Sequence, residues 1–288
     1  MIKIGDICPL FFNPLEYKYA REGSFRQCFD VSDGILLQIF CDNGETPSAY
    51  LKNLITSTRE VISFKTYTVK DGVVMYYTYL YPQEGLYSVI IGDKESKEFE
   101  VCEDSDGVLI EYTHKDNNSV FDNIFWSGST QFKFKLRFVG GFKPSGVNLE
   151  VDNEQFVNQK QEIVELYSIP YTTRTFYMGD VNGLPYYIAE LFNKILCLSS
   201  VKIDGEGYVR EGNSKPENTE TLGGKELFMY SVLLRPSKND IAGVGGKVEG
   251  TTSSSIVGFS INNPIDGEVL VYNQDESAFV NSNALSSI

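Results

Sequence analysis

His114 is the only histidine in the chain, and five cysteines stand at Cys8, Cys28, Cys41, Cys102 and Cys197. One imidazole suffices for a Ser-His-Asp or Cys-His device. Yet no Gly-x-Ser-x-Gly elbow accompanies it, and its surroundings, Tyr112-Thr113-His114-Lys115-Asp116-Asn117-Asn118, read as a polar loop with a solvated side chain. A single histidine also removes most metal-ligand sets. The cysteines are odd in number, lie tens of residues apart and include no Cys-x-x-Cys pair, so they read as small buried hydrophobes in a reducing compartment. Gly243-Val244-Gly245-Gly246-Lys247 lacks both the upstream glycine and the following Ser or Thr of a phosphate loop. Two carboxylates across a cleft can hydrolyse a glycoside, but the densest acidic cluster, Asp93 to Asp104, is interrupted by Lys94 and Lys97 and reads as a solvated turn with an edge strand. No catalytic residue, cofactor or metal is expected.

Composition bounds the remaining classes. The 288 residues carry 25 Lys and Arg against 39 Asp and Glu, a formal charge of −14. A field of that sign repels a phosphate backbone unless a local basic stripe overcomes it, and no such run exists, so nucleic acid is not expected as a partner. Nor is a membrane, because no stretch of 18 or more apolar residues is present. The N-terminus, Met1-Ile2-Lys3-Ile4-Gly5, lacks the regions of a signal peptide, which predicts a chain not secreted by that route.

The apolar pattern has period two over most of its length. In Gln131 to Phe138 the even positions are apolar and the odd ones polar or basic, the signature of a strand with one buried face. Its basic positions Lys133, Lys135 and Arg137 call for an acidic strand of this protein or of a neighbouring subunit. Tyr67 to Tyr77 carries Asp71-Gly72 between two β-rich runs, a hairpin signal; the second run, apolar on both faces, is a central strand or one covered by another chain. Further strands are predicted at 35–41, 86–91, 98–102, 108–112, 162–167, 173–178 and 227–234, with a hairpin over 201–209. Ile188, Leu191, Phe192, Ile195 and Leu196 recur at helical spacing after Pro185, which predicts one amphipathic helix near 184–197. A second, weaker helix signal follows Thr46-Pro47 through Ile55.

These elements predict a mainly β chain: an N-terminal β-sandwich domain over 1–104 and a second β-sandwich-like domain with the helix over 105–236. A Gly/Ser linker follows over 237–255, then an extended C-terminal arm with a small β-hairpin over 256–288.

Asn263-Pro264-Ile265-Asp266-Gly267-Glu268-Val269-Leu270-Val271-Tyr272-Asn273, followed by Phe279-Val280-Asn281, resembles a short motif of tailed-phage fibre and tail proteins, in which a Gly-Asp/Glu-Val-Leu-x-Tyr strand runs through a polar turn to an aromatic-Val-Asn strand. Phe279 stands where that family usually has Trp. A second resemblance spans about 105–240. Phe121-Asp122-Asn123-Ile124-Phe125-Trp126, Gly140-Gly141-Phe142-Lys143-Pro144-Ser145-Gly146, Asp152-Asn153-Glu154 and Val201-Lys202-Ile203-Asp204-Gly205 are similar to phage and prophage proteins of virion type. The resemblance implies a structural component of the virion tail region, made in the host cytoplasm and assembled as a ring with other tail, neck or fibre subunits.

On this reading Val269, Leu270, Val271, Tyr272 and Phe279 are the partner contacts of the arm, because an isolated hairpin is marginal in water and needs a second surface. The alternative is a glycan-binding or glycan-cleaving tail-tip module. Its place would be Trp126 and Phe125 beside Asn117-Asn118, where an exposed indole could stack on a sugar, but a buried anchor for that loop is the stronger reading of Trp126.

Overall fold

A computed structural model describes residues 2–12, 25–42, 45–70, 73–117, 124–128, 130–179, 183–221, 227–238, 259–260, 268–273 and 278–283. The chain divides into two compact units, 1–241 and 242–288. The described residues are mainly β with one helix. No helix among the described residues is long and apolar enough to cross a membrane.

The first nine strands are β1 (Gln27–Asp30), β2 (Ile35–Asp42), β3 (Ala49–Asn53), β4 (Arg59–Val61), β5 (Lys65–Lys70), β6 (Val73–Leu80), β7 (Gly85–Ile91), β8 (Lys94–Glu95) and β9 (Phe99–Cys102). They make a six-stranded sheet ordered β1-β9-β7-β3-β4 with β8 beside β7, and a three-stranded sheet ordered β2-β6-β5. The apolar run of β6 is thus a central strand. The second helix signal gives way to β3: Ala49 and Leu51 are buried while Tyr50 and Lys52 are half-exposed, a period-two pattern in register with Ile91 and Val89 of β7. Tertiary pairing overrides a short helical pattern that has no other support.

β2 explains how the two halves of the first unit join. Its odd residues Ile35, Leu37, Ile39 and Cys41 belong to a core with Phe29, Val89, Phe99 and Val101. Its even residues Leu36 and Phe40 belong to a second core with Ile110, Trp126, Phe134, Phe176 and Phe192. Because alternate side chains leave a strand on opposite faces, one run of apolar residues serves both.

The next strands are β10 (Val108–Thr113), β11 (Phe134–Phe138), β12 (Gly140–Val157) and β13 (Ile163–Met178), then the helix α1 (Tyr186–Ile195), then β14 (Ser200–Ile203), β15 (Glu206–Arg210), β16 (Glu217–Thr221) and β17 (Phe228–Pro236). They form an eight-stranded sheet ordered β11-β10-β14-β15-β17-β13-β12, with β16 on β17. The turn before β10 separates strands of different sheets within the one compact unit 1–241. α1 buries Ile188, Leu191, Phe192 and Ile195. The Phe192 ring lies 5.6 Å from Phe138 and 5.4 Å from Phe176, so the helix closes one face of the sheet.

In the second unit, β18 (Phe259–Ser260), β19 (Glu268–Asn273) and β20 (Ala278–Asn283) pair in the order β18-β20-β19. Of the expected linker, 239–255 lie outside the described residues, as do Asp71-Gly72 and the turn 274–277.

Candidate interaction surface

His114 is half-buried; its Nδ1 accepts a hydrogen bond from the Ser199 N–H at 3.0 Å. All five cysteines are free thiols; Cys8 and Cys41 are buried, Cys28 and Cys102 half-buried, and Cys197 exposed. Burial pushes the Cys8 thiol up to about 12 and, together with the Glu100 carboxylate, the Cys28 thiol to about 11, which is the opposite of activation. Among the described residues no three His, Cys, Asp or Glu side chains gather as a metal site.

Trp126 is the buried anchor of its loop and not a stacking platform for glycan. Its side chain is fully buried, edge-on to Phe134 at 5.6 Å, and has no face to offer a sugar. Asn117 acts as the brace of that loop: its Oδ1 accepts from the N–H groups of Trp126 and Ser127 at 2.8 and 2.9 Å, and its Nδ2 donates to the Ser127 carbonyl at 2.7 Å. Asn118 lies outside the described residues.

The basic face of β11 is satisfied within the chain. Lys135 stands opposite Glu111 of β10, and Asp33, in the turn between β1 and β2, accepts from Arg137 Nε and, at 3.3 Å, from Arg137 Nη2. Lys135 Nζ lies 3.6 Å from the same carboxylate, which is buried. Two cations around one buried anion leave no vacant anion site here.

What the structure leaves unpartnered is a ribbon. β12 has 18 residues and β13 has 16, but β13 pairs with β17 only from Arg174 to Met178. Beyond that, from Asn148/Thr173 to Val157/Ile163, the two strands pair, among the described residues, only with each other. At about 3.4 Å per residue this is a projection of roughly 35 Å. The β12–β13 pairing itself begins at Gly140 and Gly141. A Cβ at Gly140 would stand 2.5 Å from the Tyr177 carbonyl oxygen, and Gly141 has φ +149°, so glycine is required where β12 enters its pairing with β13.

Every residue from Val147 to Val157 and from Gln159 to Pro170 is exposed. Leu149 is 85% exposed and Ile163 68%. On β12, Leu149 and Val151 alternate with Glu150, Asp152 and Glu154, so one face carries apolar side chains and the other a column of carboxylates two residues apart. That column acts on its neighbours: the charge on Asp152 raises the Tyr167 hydroxyl above its ordinary value, and Tyr167 donates to Asp152 at 3.4 Å. A register shift between Glu154 and Gln155 marks a bulge. Toward the tip Phe156, Val157, Ile163 and Val164 are exposed on both strands.

Local sequence disguises the ribbon as separate pieces, because Asp152-Asn153-Glu154 and Asn158-Gln159-Lys160-Gln161 have turn composition and Pro170 splits β13 into two apparent strands. The alternation from Leu149 to Glu154 is the local signal that marks it as strand. Pro170 lies where β13 pairs with β12 alone, and a strand with one open side is where proline is admitted in a sheet.

The five expected arm contacts lie in the second unit. Val269, Leu270, Val271 and Tyr272 are in β19 and Phe279 in β20, an antiparallel pair in which Val271 opposes Val280 and Tyr272 opposes Phe279. Phe259 of β18 is also in register with Phe279. No family model matches the chain, and neither a curated protein nor a solved structure matches it.

Proposed function

We propose that this protein is an oligomeric structural adaptor of a phage tail region, one copy gripping the next through the β12–β13 ribbon while the C-terminal strands engage a further virion subunit. The carrying observation is the ribbon. A two-stranded hairpin is marginal in water, and an exposed apolar edge invites pairing, so a projection bearing Leu149, Val151, Phe156, Val157, Ile163 and Leu166 in solvent is built for a surface that covers it. Fully burying each such side chain contributes about 1.5–3 kcal/mol. Six of them are enough to offset the lower part of an association cost of about 4–15 kcal/mol. The resemblance of the 263–281 segment to phage fibre motifs supports the tail assignment, and assembly by docking and strand addition requires no catalytic group.

The test compares the full chain with a variant whose residues 148–172 are replaced by a short turn, using light scattering to obtain mass. The full chain is expected as a discrete oligomer and the shortened one as a folded monomer. A full chain that stays monomeric at tens of micromolar and behaves identically without its ribbon would sink the proposal.

A further inference from the structure

Beside the root of the ribbon lies an open pocket of about 460 Å³ lined by Arg174, Lys202, Arg235 and Lys238, with Glu206 as its single carboxylate and Tyr171 as an aromatic wall. Four cations around one hollow are out of keeping with a chain of net charge −14. They are also poorly compensated. Arg174, Arg235 and Lys238 have no carboxylate partner among the described residues, and Lys202 has only Glu111 across the strand. Arg174 Nε is buried and makes no hydrogen bond.

The arginines are nevertheless held in place. Arg174 Nη1 donates to the Tyr208 hydroxyl at 3.3 Å, and that hydroxyl donates to Glu206 at 2.9 Å. The Arg235 guanidinium lies 3.8 Å from the centre of the Tyr171 ring, a cation–π contact that orients it without neutralising it. A pre-positioned, unneutralised guanidinium pair is suited to carboxylates, which it binds by paired N–H donors.

The ribbon supplies the complement. Its exposed part carries Glu150, Asp152, Glu154, Glu162 and Glu165 against a single Lys160. Two such ribbons laid side by side would oppose carboxylate to carboxylate, which is unfavourable. The surface that accepts a ribbon must therefore be cationic.

Resting on the proposed function, we infer that the basic pocket is the socket for the acidic column of a second copy's ribbon, with Asp152 and Glu154 of one copy meeting Arg174 and Arg235 of the next. Plug and socket are different surfaces of the same chain, so the contact is heterologous and propagates head to tail, closing into a ring where the rotation permits. The apolar side chains of the ribbon supply affinity, and the charges set partner choice and register.

The experiment is a charge swap on the full chain. Asp152→Lys with Glu154→Lys, and separately Arg174→Glu with Arg235→Glu, are each expected to raise the dissociation constant of the oligomer at least about tenfold at low salt. Mixing the two variants pairs a reversed ribbon with a reversed socket and is expected to restore assembly as alternating copies. Lys202→Glu with Lys238→Glu, both at exposed positions, repeats the socket test without disturbing the Tyr208 contact, and circular dichroism verifies each fold. If the parent chain is an oligomer that the ribbon deletion abolishes but neither charge set weakens, the socket assignment is wrong while the adaptor reading stands. If the parent chain is monomeric, both fall.

Discussion

The side-chain amide of Gln38 lies against the backbone of Phe125, donating through Nε2 to the Phe125 carbonyl at 2.8 Å and accepting through Oε1 from the Phe125 N–H at 3.1 Å. Both groups are buried, and the residues are 87 positions apart. Gln38 is the polar exception on the β2 face that packs on the second core, and it satisfies a loop segment that belongs to no strand. Replacing Gln38 by Ala leaves two buried backbone groups unpaired and is expected to cost about 1–3 kcal/mol per group left unsatisfied. Urea unfolding followed by fluorescence of the single tryptophan, one residue away, measures it. An unchanged midpoint would show that the pair contributes nothing net.

Asp33 is the second long-range polar tie. Its carboxylate is buried between Arg137 and Lys135, so Asp33→Asn removes one charge and leaves two cations behind. The expected loss is about 3 kcal/mol, at the lower end for breaking a buried pair because Lys135 reaches solvent. Arg137→Met in the same background should recover part of it, since the stranded charge is then removed. A double variant no more stable than Asp33→Asn would contradict this.

Asp30 sets part of the acid limit. The hydroxyl and N–H of Ser32 donate to its carboxylate at 2.6 and 2.9 Å and hold its pKa down to about 2, with the Ser105 N–H and Arg137 adding to the effect. The folded value is depressed below an unfolded value of about 3.9. The contribution is therefore present above pH 4 and is lost as pH falls from about 4 toward about 2. Ser32→Ala should flatten that limb of the stability profile and leave the neutral range nearly parallel to the parent. A variant whose profile steepens below pH 4 would reverse the sign of the argument.

Thiol reactivity separates the cysteines. Cys197 is exposed, whereas burial of Cys8 keeps its thiol up near 12 and protonated at neutral pH. Brief iodoacetamide treatment of the native protein, read by peptide mass mapping, is expected to label Cys197 and spare Cys8 until the chain is unfolded in denaturant. Early modification of Cys8 would show that the N-terminal segment opens readily.

Local pattern carried much of the architecture. Strict alternation in 131–138, of which 134–138 is strand, the apolar stripe of α1 and the β-rich runs flanking Asp71-Gly72 each settle an element type, because strand and helix periods depend only on which side chains must face inward. The 269–272 and 279 segments likewise read as two strands of one hairpin from alternation and a polar turn. Three matters needed the tertiary structure. The burial of Trp126 depends on Asn117 and Phe134, which local spacing cannot bring to it. The conversion of 49–53 from helical signal to strand depends on β7, some forty residues later. The exposure of Leu149, Val151 and Ile163 depends on where β17 stops pairing with β13. An apolar residue in an alternating strand looks the same whether a sheet covers it or water does; only the end of the neighbouring strand decides which.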